Sequence, residues 1–451
     1  MTPTRPRRSH CLTALLCAAL ALCSGAATAA RCIDEDRLPP PDAAASAPAP
    51  SVPVDARTQL QTLVRDALRQ SDAVGAANLL AQAAEGDTAA ARAAAQPQLS
   101  LSSTLGPSGS NYEDSATSSG FQSRTTVSFS ALIYDGGRTR ELTDWRSQLA
   151  KAAEQNGVST REQIALQAVS LAIERSRFRL QTQIYRQYDR QMSCLVQALE
   201  EIVEADRGRN SELVQARKNE QQAALLVVQS ASTLRQVEIR MQRLIGSRLP
   251  TGDGMGALLL TPPPLQQIVA EAENASDIAS LALQADAQES LARSVAAEQK
   301  PQLSWVVSGA KAIGSGRSAS WTAGVSLNVP LLNPGAQPSL DAARERAGAA
   351  RLQLADALEN RRYKMAEVHE QALNAFERAR RGSEVVRDSD QLRNATLQQW
   401  QQLGRRSLFD VMSAESEHYA LRVAYINALH DGQQSTALLR SLGRGITAWL
   451  Q

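Results

Sequence analysis

Apolar residues recur at every second position in two short stretches of the chain, "VSFSALIYDGG" from Val127 to Gly137 and "VSLNVPLLNPG" from Val325 to Gly335. Val127, Phe129, Ala131 and Ile133 fall on one side of the alternation, as Val325, Leu327, Val329 and Leu331 do in the second stretch. The other side carries Thr126, Ser128 and Ser130, answered by Gly324, Ser326 and Asn328. A period of two is that of a β-strand. Such a strand suits a sheet that separates lipid from water, or one half-buried in a soluble sandwich, and periodicity does not choose between them. Related runs precede both stretches, "PQLSLSSTLG" from Pro97 and "PQLSWVVSGA" from Pro301, with the polar turn sequences "GPSGSNYEDSATSSG" and "AIGSGRS" between. Two β-hairpins are therefore expected.

After each hairpin the period changes. From Arg138 to Val203 there is no Pro and one Gly, Gly157, which predicts one helix about 99 Å long at ~1.5 Å per residue. Ile164, Leu171, Phe178, Tyr185, Met192 and Leu199 recur every seven residues and predict a coiled-coil seam. A thinner seam follows the second hairpin at Leu358, Met365, Ala372, Ala379 and Val386, within a helix expected from Ser339 to Leu403. Each long helix meets a glycine in a basic turn, "DRGRNS" around Gly208 and "QLGRRS" around Gly404, and a return helix then runs to Gly246 or Gly443. A helix is also expected ahead of each hairpin, over Asp55–Ala95 and Pro264–Gln299. The same parts thus occur twice in the same order, an internal two-fold repeat. Four strands do not close a barrel, so the unit should oligomerise.

This pattern divides the 451 residues into a leader (1–30), a Pro/Ala-rich tether (31–54), a first repeat (55–247), a linker (248–263), a second repeat (264–445) and a tail (446–451). In the leader, Arg5, Arg7 and Arg8 precede an apolar core from Cys11 to Cys23 and small residues at Ala27-Thr28-Ala29, the form of a secretory signal peptide. No later run is apolar enough for a membrane-spanning helix. Without residues 1–30, which hold three Arg and no acid, the balance is 45 Lys+Arg against 46 Asp+Glu, and nothing points to nucleic acid. Cys32 and Cys194 remain as a candidate disulfide for an oxidising compartment. Lipidation is disfavoured, because Arg31 and Leu22 stand where a small residue should precede a modified cysteine.

The motifs "LIYDGGR" and "LLNPG" at the strand-to-helix junctions, "SELVQAR" from Ser211 and "GRRSLFDVMSAE" from Gly404 together resemble the TolC family of outer-membrane efflux and secretion proteins. The resemblance implies a mainly α protein with a small β part. Long antiparallel α-helical hairpins would form an α-barrel in the periplasm, and four strands per protomer would contribute to a trimeric 12-stranded outer-membrane β-barrel. It implies a homotrimer, lipid around the barrel, a periplasmic adaptor and an inner-membrane ABC or proton-driven transporter. The function implied is a channel-tunnel of a tripartite export system, passing protein by type I secretion or small molecules by efflux. Tyr112, Phe121, Phe129, Tyr134, Trp305 and Trp321 would supply interfacial girdles.

By the same resemblance Asp410 matches a lumen-facing aspartate whose copies would form an acidic ring, while Ser413 replaces a second acidic position. Arg406 matches an arginine that latches neighbouring helices, with Ser211 and Glu212 as its partners. Gly208, Gly404 and Arg405 mark the tips that an adaptor would contact. A Cys32–Cys194 bridge would staple the tether to the long helix. Catalysis is not expected and no cofactor or metal is implied, since His369, His418 and His430 lack ligand-like spacing and no phosphate loop occurs. The competing reading is a periplasmic coiled-coil adaptor or scaffold, which would need one helical hairpin flanked by β-rich segments rather than two hairpins.

Overall fold

The structure, a computed structural model, describes residues 56–451 except 113–114, 248, 250–257, 315–316 and 404–405, and only the backbone of 110–112, 115–119 and 402–403. The expected signal peptide, the tether, Cys32, Gly404 and Arg405 lie outside the described residues.

Two helices, α1 (Ala56–Gln70) and α2 (Asp72–Ala93), lead into strands β1 (Gln98–Tyr112) and β2 (Ser115–Tyr134). The chain continues as α3 (Arg138–Ala205), a 3₁₀ turn at Arg207–Arg209 and α4 (Asn210–Ile245). Then come α5 (Leu265–Ala272), α6 (Ser276–Ala297), β3 (Gln302–Gly314), β4 (Ser318–Asn328), α7 (Ala336–Leu403), α8 (Leu408–Leu442) and α9 (Ile446–Leu450). Corresponding helices match in length: α2 and α6 have 22 residues each, α3 and α7 have 68, and α4 and α8 have 36 and 35. At ~1.5 Å per residue the long helices span about 100 Å, and each packs against its return helix as an antiparallel hairpin.

The helices expected ahead of the hairpins are each split in two. Ser71 caps α2 by accepting from the Val74 amide, which starts a new helix where continuity was expected. The residues 446–451 expected as a tail instead form α9, whose Ile446 and Leu450 are buried against α1 and α3. Glu162 accepts from the Thr447 amide, and Arg57 donates to the carbonyls of Trp449 and Leu450. The end of the chain is thereby tied to its first described helix.

All four strands form one antiparallel sheet in the order β1-β2-β3-β4. The stretch expected as a long polar loop after Gly106 is mostly strand, because β1 and β2 stay paired as far as Tyr112 and Ser115. At the junction below, Asp135 accepts from the amides of Gly137 and Thr139, and Gly136 and Gly137 adopt positive φ. A side chain at Gly136 would meet Lys300 at 2.6 Å, so this turn needs its glycine.

The hydrophobic cores lie among helices. One joins α3, α4, α7 and α8 towards their tips, around Met192, Leu199, Leu408 and Tyr419. A second joins α1, α3, α4, α8 and α9 with Leu259 of the expected linker, and a third seats α5 on α7 and α8. Of the expected seams, Met192 and Leu199 belong to the first core and Met365 and Ala372 to the third, and Leu171 and Ala379 are buried as well. None of these cores includes a strand residue, among the described residues.

Candidate functional site

Two regions carry the chemistry, the sheet and the helical tips. Register gives the sheet two distinct faces. Leu101, Val127, Gly309 and Trp321 stand in one row, with Leu99, Phe129, Val307 and Ala323 in the next. Trp305 and Val325 follow, then Leu303 and Leu327. The rows between belong to the other face, as in Ser102-Thr126-Ala310-Ser320 and Ser100-Ser128-Ser308-Thr322. Leu99, Leu101, Trp305, Trp321, Val325 and Leu327 are all more than half exposed, and Trp321 reaches 82%. An apolar face of this extent, without any core behind it, needs lipid or another protein over it.

The aromatics with described side chains sit on this face: Tyr134 pairs with Leu303, Trp305 with Ala131, Phe129 with Val307 and Trp321 with Gly309, and Phe121 lies beyond Ile313. Tyr112 has no described side chain.

At the other end the tips of both helical hairpins come together. Leu199 and Leu213 of the first pack in one core with Leu397, Leu408 and Val411 of the second. Asn219 Nδ2 donates to Met412 Sδ at 3.4 Å across the same junction. The first tip is a 3₁₀ turn in which the Gly208 amide donates to Asp206 Oδ1 at 3.0 Å. Gly208 does not adopt the positive φ expected of a helix-ending glycine; the Asp206 side chain satisfies the backbone instead. An open groove of about 770 Å³ beside this tip is lined by Glu200, Glu204, Arg207, Asn210 and Arg217, among others.

The tip charges are arranged differently from expectation within the protomer. Glu212 is bound by Arg209, Nη2 to Oε2 at 2.8 Å, and Arg406 Nε donates to Gln399 Oε1 at 3.2 Å. Arg209 and Glu212 are three residues apart on one helical turn, so that pair forms at little entropic cost. Ser211 is exposed at the start of α4. Asp410 is exposed too, but its carboxylate has a local task. It accepts from the Ser407 amide at 3.1 Å while Ser407 Oγ accepts from the Asp410 amide at 3.3 Å, a capping box that starts α8. The Ser407-x-x-Asp410 spacing carries this signal, which the reading of Asp410 as a ring residue overlooked. Ser407→Ala should cost about 1 kcal/mol at the α8 start, read as faster amide exchange at Asp410 and Val411; unchanged exchange would refute the cap.

Further up, α7, α8 and α3 enclose a polar cluster that sequence reasoning missed. Arg393 reaches Glu415 at 3.5 Å and Asp390 at 3.0 Å, and Ser389 Oγ lies 2.9 Å from His418 Nδ1. Glu415 and His418 are buried; the ring of Tyr419 lies edge-on to His418 and tilted against Tyr188. Burial, and then the nearby Arg393 and Arg422, push the His418 imidazole down to about 4 against a weaker pull from Asp390. Its signal in the sequence is the spacing of Glu415, His418, Tyr419 and Arg422 along one helical face. Cys194 is half-buried on α3. No group of three or more metal-ligating side chains occurs, and no helix is long and apolar enough to cross a membrane, among the described residues.

No protein-family model and no curated protein matches the chain. Solved structures do match. CusC, described for its transmembrane channel formation, is 19% identical and superposes with a TM-score of 0.77 over 86% of this chain and 92% of its own. The outer membrane protein VceC of Vibrio cholerae is 17% identical, with a TM-score of 0.71 over 87% of this chain and 99% of its own. The outer-membrane channel OprN is 16% identical, with a TM-score of 0.75 over 87% and 91%. Likeness at this identity is one of architecture, and it covers more than four fifths of this chain in each case. The chain has the fold of the TolC-like outer-membrane channels.

Proposed function

We propose that the chain is the outer-membrane channel-tunnel of a tripartite export system. Three copies close their sheets into one twelve-stranded barrel in the outer membrane, and their helical hairpins form a tunnel into the periplasm. An inner-membrane pump delivers cargo, protein or small molecule, through a periplasmic adaptor that contacts the tips at Gly208, Gly404 and Arg405.

The observation that carries this reading is the coreless two-faced sheet with two open edges. Among the described residues β1 and β4 each lack a partner on one side, and both present exposed apolar residues on the same face, Leu99 and Leu101 against Val325 and Leu327. Lipid admits no open edge, so β4 of one copy pairs with β1 of the next until the ring closes. A soluble scaffold would have to leave this whole face in water.

Within the assembly, copies of Asp410 supply an acidic ring at the tip, where a narrow low-dielectric opening favours cations. Arg406 latches the tip across the boundary between copies with Ser211 and Glu212, in competition with the Arg209 pair inside each copy. Cys32 and Cys194 staple the tether to α3.

Single-channel recording in planar bilayers tests the reading. The expected wild-type result is a small cation-preferring conductance. Asp410→Asn keeps a side-chain oxygen for the Ser407 amide, so a loss of cation preference in that variant reports charge rather than an unwound helix start. Arg406→Ala should enlarge the conductance. A freely soluble monomer that forms no pore would overturn the proposal.

A further inference from the structure

The four strands carry two charged residues between them, Arg124 and Lys311, and no acid. Register puts them on opposite faces. Lys311 shares its row with Ser103, Thr125 and Ala319, in phase with the apolar rows of Val127 and Trp321. Arg124 shares its row with Thr104, Ala312 and Ser318, in phase with the small polar rows. Arg124 is exposed, and it is the one charge on a face otherwise made of Ser, Thr, Gly, Ala and a few amide and aliphatic side chains.

Its level matters as much as its face. The ladder between β2 and β3 ends at Gln122 and Gly314, and β4 begins at Ser318 opposite Ala312. The Arg124 row is therefore the last one to which all four strands contribute, at the end of the sheet away from the helices. Beyond it β3 runs on for two rows, to Gly314 opposite Gln122, and then β1 and β2 alone continue to Tyr112 and Ser115.

From this geometry, and resting on the trimeric channel reading above, we propose that Arg124 forms a cationic ring at the outer opening of the lumen. The ring binds multivalent phosphate-type anions and gives the exit a sign opposite to that of the acidic tip. Twelve strands about 4.8 Å apart and tilted by about 40° give a backbone radius of about 12 Å. Arginines reaching inward by about 6 Å then hold their guanidinium groups about 10 Å apart, close to the ~8 Å screening length at physiological salt. The three fields overlap, and each planar fork matches an oxyanion. The acids of the same hairpin, Glu113 and Asp114, lie outside the described residues.

The test is side-specific block of the full-length channel by inorganic tripolyphosphate in planar bilayers. Wild type should be half-blocked at a concentration about tenfold lower from the side of the strand turns than from the side of the helical tips. Arg124→Ser should lose that difference while still forming a conducting pore, and Arg124→Lys should keep most of it. Arg124→Gln provides a second neutral variant should the serine form insert poorly. Neutral variants that are blocked like wild type would overturn the ring while leaving a conducting pore. Absence of any pore in wild type would overturn the channel reading, and this inference with it.

Discussion

Replacing Arg393 with methionine will loosen the tip half of the α7–α8 hairpin by about 3–5 kcal/mol. The Glu415 carboxylate faces Arg393 at 3.5 Å and is 1% exposed, inside a core that includes Val411, Met412 and Tyr419. A carboxylate at such a site is tolerated because a cation and hydrogen bonds offset its lost hydration, and removing the cation leaves that penalty standing. Methionine preserves much of the arginine stem's volume, so packing changes little. Amide exchange along α8 reads the effect as a local opening free energy. Adding Glu415→Leu to Arg393→Met should return most of the loss, since the buried charge then disappears with its partner. A single variant that exchanges within about 1 kcal/mol of wild type would contradict the account. Because α8 begins at the tip that carries Ser407 and Asp410, the proposed channel function predicts that the same loosening changes the conductance in bilayer recordings.

Acidification should weaken this same region through His418. In the folded chain the imidazole takes up a proton only near pH 4, whereas an unfolded histidine does so near 6.5. Between those values the unfolded state binds more protons than the folded one, so stability falls as pH falls and is fully regained above 6.5. The gap corresponds to about 3 kcal/mol. Burial lowers the His430 imidazole in the same direction, adding to the loss. Carboxylates also titrate towards the lower end of this window, so the comparison is with His418→Gln. The expected result is a shallower decline of α7–α8 amide protection in the variant between pH 6.5 and 4.5. Parallel curves for wild type and variant would refute the assignment to His418.

Both predictions concern residues that the linear pattern did not mark. Glu415 and Arg393 lie on different helices, 22 residues apart through a tip. Whether a charge on a helix is solvated or buried depends on which face its partner helix covers. Heptad spacing located the apolar seams at Leu171, Met192, Leu199 and Met365, but it says nothing of polar groups drawn between three helices. The same applies at the tip. Spacing along one turn joins Glu212 to Arg209 and Asp410 to Ser407, local interactions that compete with the longer-range latch and ring assigned by resemblance.

The sequence by itself determined the two long helical hairpins, the two β-hairpins and the apolar faces of β2 and of β4 as far as Leu327, although Val329 and Leu331, expected on that strand, lie beyond its end at Asn328. These follow from period alone: 3.5 or 3.6 residues for a helix, two for a strand, with glycine and proline as punctuation. Only the tertiary structure decided which strands are neighbours, at what level Arg124 and Lys311 stand on opposite faces, and where the helices break at Ser71 and dock again at Ile446. Those features depend on contacts between residues far apart in the chain. Alternation assigns a side chain to a face, whereas register with a distant strand assigns it a level.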